Sequence, residues 1–99
     1  MTVTPGRDAR GHQEISRERR QLVARAIEQA TANEWLGAIE TNQRLIDVSG
    51  QDVEAYNRLG KAYARIGRIP AARAAYDAAL RIDPANTIAR RNAARWAAL

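Results

Sequence analysis

Apolar side chains recur every three to four residues along most of this chain, and short polar breaks divide the pattern into segments. This spacing places the apolar residues on one face of an α-helix. It predicts five helices, which span about residues 13–32, 35–48, 53–66, 70–82 and 87–99. Because the connections are only two to five residues long, consecutive helices should pack as antiparallel neighbours. The pattern therefore predicts an all-α fold.

Several residues between these segments are typical of helix ends. Gly67 follows the third segment, and glycine readily adopts the left-handed conformation that ends a helix. Pro70 opens the fourth segment, where its missing backbone donor has no effect in a first turn. Asn86 is a candidate N-cap for the fifth helix. These signals place a tight turn near residue 67 and a new helix start near residue 87.

The first twelve residues lack the apolar pattern and contain Pro5, Gly6 and Gly11 among mixed charges. Such a composition predicts a flexible N-terminal arm over residues 1–12 and a helical domain over residues 13–99. The opening letters MTVTPGRDARG have no apolar core of the kind a signal peptide needs. No run approaches the roughly 18 apolar residues of a membrane span. We therefore expect a cytoplasmic protein that does not associate with membranes.

The helical pattern also repeats along the chain. A shift of 34 residues places Asn33 on Gly67 and Ala38 on Ala72. Few residues are identical across the shift, but side-chain size is retained at the matching positions. Size governs how closely two helices pack. The repeat therefore predicts two similar helical hairpins that stack side by side.

The second copy resembles the tetratricopeptide repeat, a 34-residue helix-turn-helix unit. The residues that carry the resemblance are Tyr56, Leu59, Gly60, Tyr63, Ala72, Tyr76, Ala79 and Pro84. In that family, the small residues at the positions of Gly60 and Ala72 let the two helices of a repeat touch. The aromatic residues at the positions of Tyr63 and Tyr76 fill the gaps beside them. The resemblance thus implies structural roles for these tyrosines.

The rest of the chain follows the family pattern less closely. Residues 19–52 form a weaker copy, in which Asn42 stands at the aromatic position and Gly50 at the proline position. Residues 87–99, which follow the repeat at residues 53–86, are similar to the first helix of a third repeat or to the capping helix that such arrays need. The resemblance implies two repeats and a C-terminal cap, arranged as a right-handed superhelical α-α solenoid that recognises other proteins.

Composition argues against catalysis and metal binding. The sequence has no cysteine and a single histidine, His12, so it offers neither a thiolate nor a pair of imidazoles for a metal. Acid–base catalysis needs carboxylates that converge in a pocket, whereas Glu28, Glu34, Glu40 and Asp47 are scattered over polar helix faces. We therefore expect no cofactor, no bound metal and no enzymatic activity.

The formal net charge of +5 is concentrated in the second half of the chain. Up to Asp52 there are seven arginines and eight acidic residues, whereas nine basic and three acidic residues follow. Lys61 and Arg65 lie four and eight residues after Asn57, and Arg95 lies four residues after Arg91. Each set forms a ridge along one helix face.

The family resemblance gives these ridges a function. In tetratricopeptide arrays the first helix of each repeat lines a concave groove, so both ridges are expected to face it. We expect the groove to bind an extended peptide that is acidic or ends in a carboxylate. The predicted contact residues are Asn57, Lys61, Arg65, Arg91 and Arg95, with Val23, Ile27 and Ile88 as apolar contacts. The opposing interpretation is that the basic residues form only the solvated side of each helix.

Two other functions remain open from the sequence. The basic second half could bind RNA or DNA phosphates, but the helix after Gly67 begins PAARAA and has few groups able to read base edges. Nucleic acid is therefore an unlikely partner, and such binding would be non-specific. Stable arrays usually need about three repeats, so the chain could self-associate as a scaffold. Trp96 and Leu99 on the last helix are the candidate homodimer contacts, unless the natural protein continues past Leu99.

Overall fold

A computed structural model describes the backbone of residues 5–96 and the side chains of residues 11–96. The described part contains five helices and no strand, as the apolar pattern predicts. In chain order the helices are α1 (Pro5–Thr31), α2 (Trp35–Ser49), α3 (Val53–Arg65), α4 (Ile69–Ile82) and α5 (Thr87–Trp96). Each helix packs chiefly against the next one along the chain. In the residues described, no helix has the length and apolarity needed to cross a bilayer.

The start of α1 differs from the prediction. The helix begins at Pro5 rather than near Gln13, so positions 5–12 of the predicted arm are helical. Proline is favourable in a first helical turn because its fixed φ already suits the helix, although the glycines that follow have a weak helix propensity. The mobility of the arm stays a prediction. The end of the fifth predicted helix, at residues 97–99, lies outside the described residues.

The first turns of α1 project beyond the other helices. With 27 residues, α1 is about 40 Å long, whereas the 15 residues of α2 span only about 22 Å. All side chains from His12 to Arg17 are exposed. Ile15 lies at the apolar spacing of the first segment but is 51% exposed, because α2 is too short to cover it. Glu18 contacts α2, because its carboxylate accepts two hydrogen bonds from Arg44, at 2.9 and 2.7 Å.

The turns that join the helices of each hairpin have the same geometry. Asn33 and Gly67 are 34 residues apart and both have positive φ, 60° and 81°. In the first turn the amide of Glu34 donates to the carbonyl of Gln29 at 2.8 Å, and the equivalent bond 34 residues later measures 2.9 Å. A backbone hydrogen bond that spans six residues, around a residue in the left-handed conformation, is typical of the C-terminal end of a helix. The predicted turn at Gly67 and its equivalence with Asn33 are confirmed.

The starts of α3 and α5 are capped in the same way. Asp52 Oδ1 accepts a hydrogen bond from the Ala55 amide at 3.0 Å, and Asn86 Oδ1 accepts one from the Ala89 amide at 3.0 Å. The predicted cap at Asn86 is confirmed. The cap at Asp52 was not predicted, although it stands at the equivalent position of the first repeat. Both caps fix the entry of a helix that lines the groove described below.

The close contact between α3 and α4 depends on Gly60. A Cβ atom at this position would lie 2.7 Å from Cζ of the buried Tyr76 ring. In the first hairpin the equivalent residues are Ala26 and Asn42, which are both buried. Each hairpin therefore pairs residues of complementary size: a glycine with a ring, or an alanine with a shorter amide. This explains why the first copy departs from the family pattern at both positions together.

Candidate functional site

A hollow lies between α3 and α5, with α4 as its floor. We call it the C-terminal hollow, and its volume is about 560 Å³. The lining residues are Asn57, Arg58, Lys61, Ala64 and Arg65 of α3, Tyr76 of α4, and Ile88, Asn92, Arg95 and Trp96 of α5. Four cationic side chains therefore surround one concavity.

A smaller hollow lies between α1 and α3, with α2 as its floor. We call it the N-terminal hollow, and its volume is about 230 Å³. The lining residues are Ile27, Ala30, Thr31, Trp35, Ala38, Asn42, Arg58 and Lys61. Arg58 and Lys61 line both hollows, so the two concavities adjoin and form one groove along α1, α3 and α5.

The two hollows are related by the 34-residue repeat. Thr31 and Asn42 line the N-terminal hollow where their equivalents Arg65 and Tyr76 line the C-terminal one. The equivalent of Lys61 is Arg95, so a cation occupies the same position in both. The repeat thus produces two similar concavities whose floors differ in chemistry.

Six of the eight predicted contact residues line the groove. Asn57, Lys61, Arg65, Arg95 and Ile88 line the C-terminal hollow, and Ile27 lines the N-terminal one.

Two predicted residues do not line either hollow. Arg91 is exposed, but Ile88, Asn92 and Arg95 define the groove face of α5. Arg91 lies about a quarter-turn of the helix from the centre of that face. Val23 is half-buried and packs against a core cluster of α1, α2 and α3.

Asn57 has a partner within the chain. It is buried, and its Nδ2 donates a hydrogen bond to Asn86 Oδ1 at 3.0 Å. The same oxygen accepts the capping bond from the amide of Ala89. Asn57 therefore ties α3 to the start of α5 and sets the spacing of the C-terminal hollow.

The cations of α3 are arranged over an indole ring. Lys61 Nζ lies 5.9 Å and Arg65 Cζ lies 5.5 Å from the centre of the Trp35 ring. Cations attract the face of an aromatic ring at such distances, with about 0.5–1 kcal/mol at exposed sites. Trp35 therefore holds both charges at the groove without neutralising them. Within residues 11–96, no carboxylate lies within 4.0 Å of Lys61, Arg65 or Arg95.

Arg58, Asn92 and Trp96 line the C-terminal hollow but were missed from the sequence. Arg58 Nη2 lies 3.4 Å from Glu54 Oε2, one turn earlier on α3. The prediction followed single ridges at a spacing of four residues and so omitted positions three residues away, which share a helix face. Trp96, a candidate homodimer contact from the sequence, is half-buried and packs against the cluster of α4 and α5.

Tyr76 gives the C-terminal hollow a neutral floor. Burial raises the pKa of its phenol above the ordinary value of 10.0, and the nearby charge of Arg95 opposes this shift only in part. The hydroxyl therefore stays protonated at neutral pH. The positive charge of the hollow comes from its walls and is not reduced by its floor.

The described side chains offer no metal centre, since none of them form a group of three or more potential ligands of the His, Cys, Asp or Glu type.

Comparison with known families matches residues 53–86 to the tetratricopeptide repeat. No curated protein matches the chain.

The chain therefore contains a tetratricopeptide repeat at residues 53–86, and its described helices are arranged as an all-α, tetratricopeptide-like solenoid. Tetratricopeptide repeats are generally protein–protein interaction modules and are typically non-catalytic. Their stacked hairpins present concave surfaces to partners.

Proposed function

We propose that this protein is a non-catalytic binding module that holds an extended acidic segment, or a C-terminal carboxylate, of a partner protein in its groove. The observation that carries the proposal is the set of three cations, Lys61, Arg65 and Arg95, which have no carboxylate partner among the residues described. Lys61 lies at the junction of the two hollows, so it is the central contact.

The energetics favour an anionic ligand. Like charges spaced four residues apart, such as Lys61 and Arg65, repel each other by about 0.2–0.5 kcal/mol. A hydrogen bond from either cation to a carboxylate contributes about 1.5–3 kcal/mol. Trp35 keeps both cations near their binding positions, which reduces the side-chain entropy lost on binding. An acidic ligand therefore removes a repulsion and adds the stronger attraction.

Apolar contacts lie at both ends of the groove. Ile27 is 52% exposed at the N-terminal hollow, and Ile88 is 54% exposed at the C-terminal hollow. An extended peptide that crosses Lys61 would cover both. In this proposal Asn57 acts through the spacing of α3 and α5, while Arg91 and Val23 are peripheral contacts.

The test uses fluorescein-labelled decapeptides composed of Asp, Glu, Gly and Ser, one with a free C-terminal carboxylate and one amidated. Their affinities are measured by fluorescence anisotropy at low salt. The variant Lys61→Ala should bind about tenfold more weakly than the unchanged protein, the loss expected for one charge-assisted hydrogen bond. Arg73 is the matched control, because it is an exposed arginine on α4 that lines neither hollow.

The proposal fails if the acidic peptides do not bind, or if Arg73→Ala and Lys61→Ala weaken binding equally. A single-stranded oligonucleotide is titrated in parallel as the competing ligand. Tighter binding of the oligonucleotide, with an affinity that falls by orders of magnitude between about 50 and 200 mM salt, would favour the nucleic-acid function instead. Light scattering of the same samples tests self-association.

A further inference from the structure

The floor of the N-terminal hollow has an unpaired polar group. Asn42 is only 1% exposed, and its Nδ2 donates to the Ala38 carbonyl at 2.8 Å. Its Oδ1 has no hydrogen-bond partner in the described part of the chain. A buried acceptor without a partner is unfavourable, and most such groups in native proteins are satisfied. Asn42 therefore lacks one donor, and the hollow that it lines is the place from which a donor can come.

A second unpaired atom belongs to the wall of the same hollow. Arg58 Nη1 is buried and also lacks an acceptor among the residues that the structure describes. Its other terminal nitrogen makes only the long contact with Glu54, at 3.4 Å. Arg58 lines the N-terminal hollow together with Asn42. A ligand group that both donates and accepts a hydrogen bond would satisfy the two atoms together.

The remaining walls are apolar. Ile27, Ala30, Trp35 and Ala38 supply aliphatic and aromatic surface. The volume of about 230 Å³ is below the roughly 300–1,000 Å³ of sites that enclose a whole small molecule. The hollow therefore suits one side chain of a larger ligand.

We propose that the N-terminal hollow binds a tyrosine side chain within the acidic segment, an inference that rests on the proposed function. The phenol hydroxyl is both a donor and an acceptor. It donates to Asn42 Oδ1 and accepts from Arg58 Nη1, while the ring packs against Trp35 and Ile27. The positive charge of Arg58 and Lys61 favours a tyrosine flanked by Asp or Glu.

Other side chains fit the hollow less well. A carboxylate only accepts hydrogen bonds, so it would face Asn42 Oδ1 with a second acceptor. A lysine would be repelled by Arg58 and Lys61, and phenylalanine has no polar atom. A tryptophan donates through its indole N–H but leaves Arg58 Nη1 unpaired. Asparagine and glutamine pair with both atoms but cover little of the apolar wall.

The test measures one affinity ratio. A decapeptide of Asp, Glu, Gly and Ser carries Tyr, Phe or Ala at one central position, and the dissociation constants are measured by anisotropy. Tyr should bind about tenfold more tightly than Phe, because Phe leaves the two buried polar atoms unpaired. In the variant Asn42→Leu, which removes the acceptor at similar size, the Tyr/Phe ratio should fall to about two, since only the bond from Arg58 remains.

Asn92 provides the matched control. Its Nδ2 donates to the Ile88 carbonyl at 2.8 Å, the same local bond as in Asn42, but it lines the other hollow. The variant Asn92→Leu should therefore keep the tenfold Tyr/Phe ratio even if overall affinity changes. Equal affinities for Tyr and Phe with the unchanged protein would overturn the proposal. A ratio that Asn42→Leu leaves at tenfold would also overturn it.

If Asn42→Leu does not fold, the proposal can still be tested by a measurement on the unchanged protein. Nuclear magnetic resonance of the unchanged protein records the Asn42 side-chain amide and the Trp35 indole during titration with N-acetyl-tyrosinamide. We expect shifts of both signals that N-acetyl-phenylalaninamide does not reproduce at equal concentration, and equal responses to the two amides would contradict the inference. If acidic peptides without an aromatic residue do not bind, the proposed function fails, whereas this titration still decides the tyrosine site.

Discussion

Replacing Gly60 by alanine tests the packing that brings α3 and α4 together. The new Cβ would lie 2.7, 2.8 and 2.9 Å from three ring atoms of Tyr76. The ring is buried in a packed cluster of α4 and α5 side chains, so a shift of the ring would disturb that packing. Overpacking of this kind costs about 1–3 kcal/mol, and three contacts below 3.0 Å place this substitution near the upper value. Alanine returns about 1 kcal/mol through its higher helix propensity.

The net loss for Gly60→Ala is therefore about 2 kcal/mol in the free energy of unfolding. For a domain of this size the melting temperature should fall by about 8–16 °C. Gly11→Ala is the matched control, because Gly11 also lies within a helix and a Cβ at this position meets nothing within 4 Å. The assay is urea and thermal denaturation followed by circular dichroism. If Gly60→Ala is as stable as Gly11→Ala, the reasoning is refuted.

A double-mutant cycle with Tyr76 identifies the cause of the loss. Leucine at position 76 lacks the ring atoms that the new Cβ would meet. In the Tyr76→Leu background, Gly60→Ala should therefore stabilise by about 1 kcal/mol, which gives a coupling energy of about 3 kcal/mol. Ala26 and Asn42 of the first hairpin already show such a combination of a Cβ with a shorter side chain. A coupling energy near zero would assign the loss to something other than this contact.

Three further predictions concern the cap, the cations and pH. Asn86→Ala should cost about 1–2 kcal/mol in denaturation experiments, since it removes the cap of α5 and also leaves the Asn57 amide unpaired; an unchanged unfolding curve would contradict this role. Trp35→Leu should weaken binding of the acidic decapeptide about two- to fivefold in the anisotropy assay, because Lys61 loses its aromatic support, and an unaltered affinity would refute that contribution. Burial raises the pKa of Tyr76 in the folded protein. The protonated phenol therefore contributes its full stabilisation below the ordinary pKa of 10.0, and this stabilisation is lost as the pH rises toward the raised pKa of the folded state. Tyr76→Phe should accordingly show a smaller loss of stability above about pH 10 than the unchanged protein, and identical pH profiles would exclude this effect.

Much of the fold could be predicted because local signals and the repeat agree. Gly67 ends α3 in the left-handed conformation that only a few residues adopt easily, and Asn33 occupies the same conformation one repeat earlier. The predicted start of α1 was wrong because Gly6 and Gly11 suggested flexibility, although Pro5 is itself a favourable first helical residue. The exposure of Ile15 could not be predicted, because it depends on the length of the neighbouring helix, which periodicity alone does not reveal.

The candidate site was predicted in part for a similar reason. Lys61, Arg65 and Arg95 follow from helical spacing together with the family resemblance. The unpaired atoms of Asn42 and Arg58 depend on how three helices meet, so no local pattern indicates them. Arg91 was placed on the ridge of Arg95, but the face of α5 that lines the hollow is centred on other residues.

The most direct test of the account maps an acidic peptide onto the protein by nuclear magnetic resonance. The amidated decapeptide of Asp, Glu, Gly and Ser is titrated into isotope-labelled protein at low salt. We predict that the largest shifts belong to Lys61, Arg65 and Arg95, on the groove faces of α3 and α5. Shifts centred instead on the exposed arginines of α4, Arg73 and Arg81, would contradict the central claim that the groove binds acidic segments.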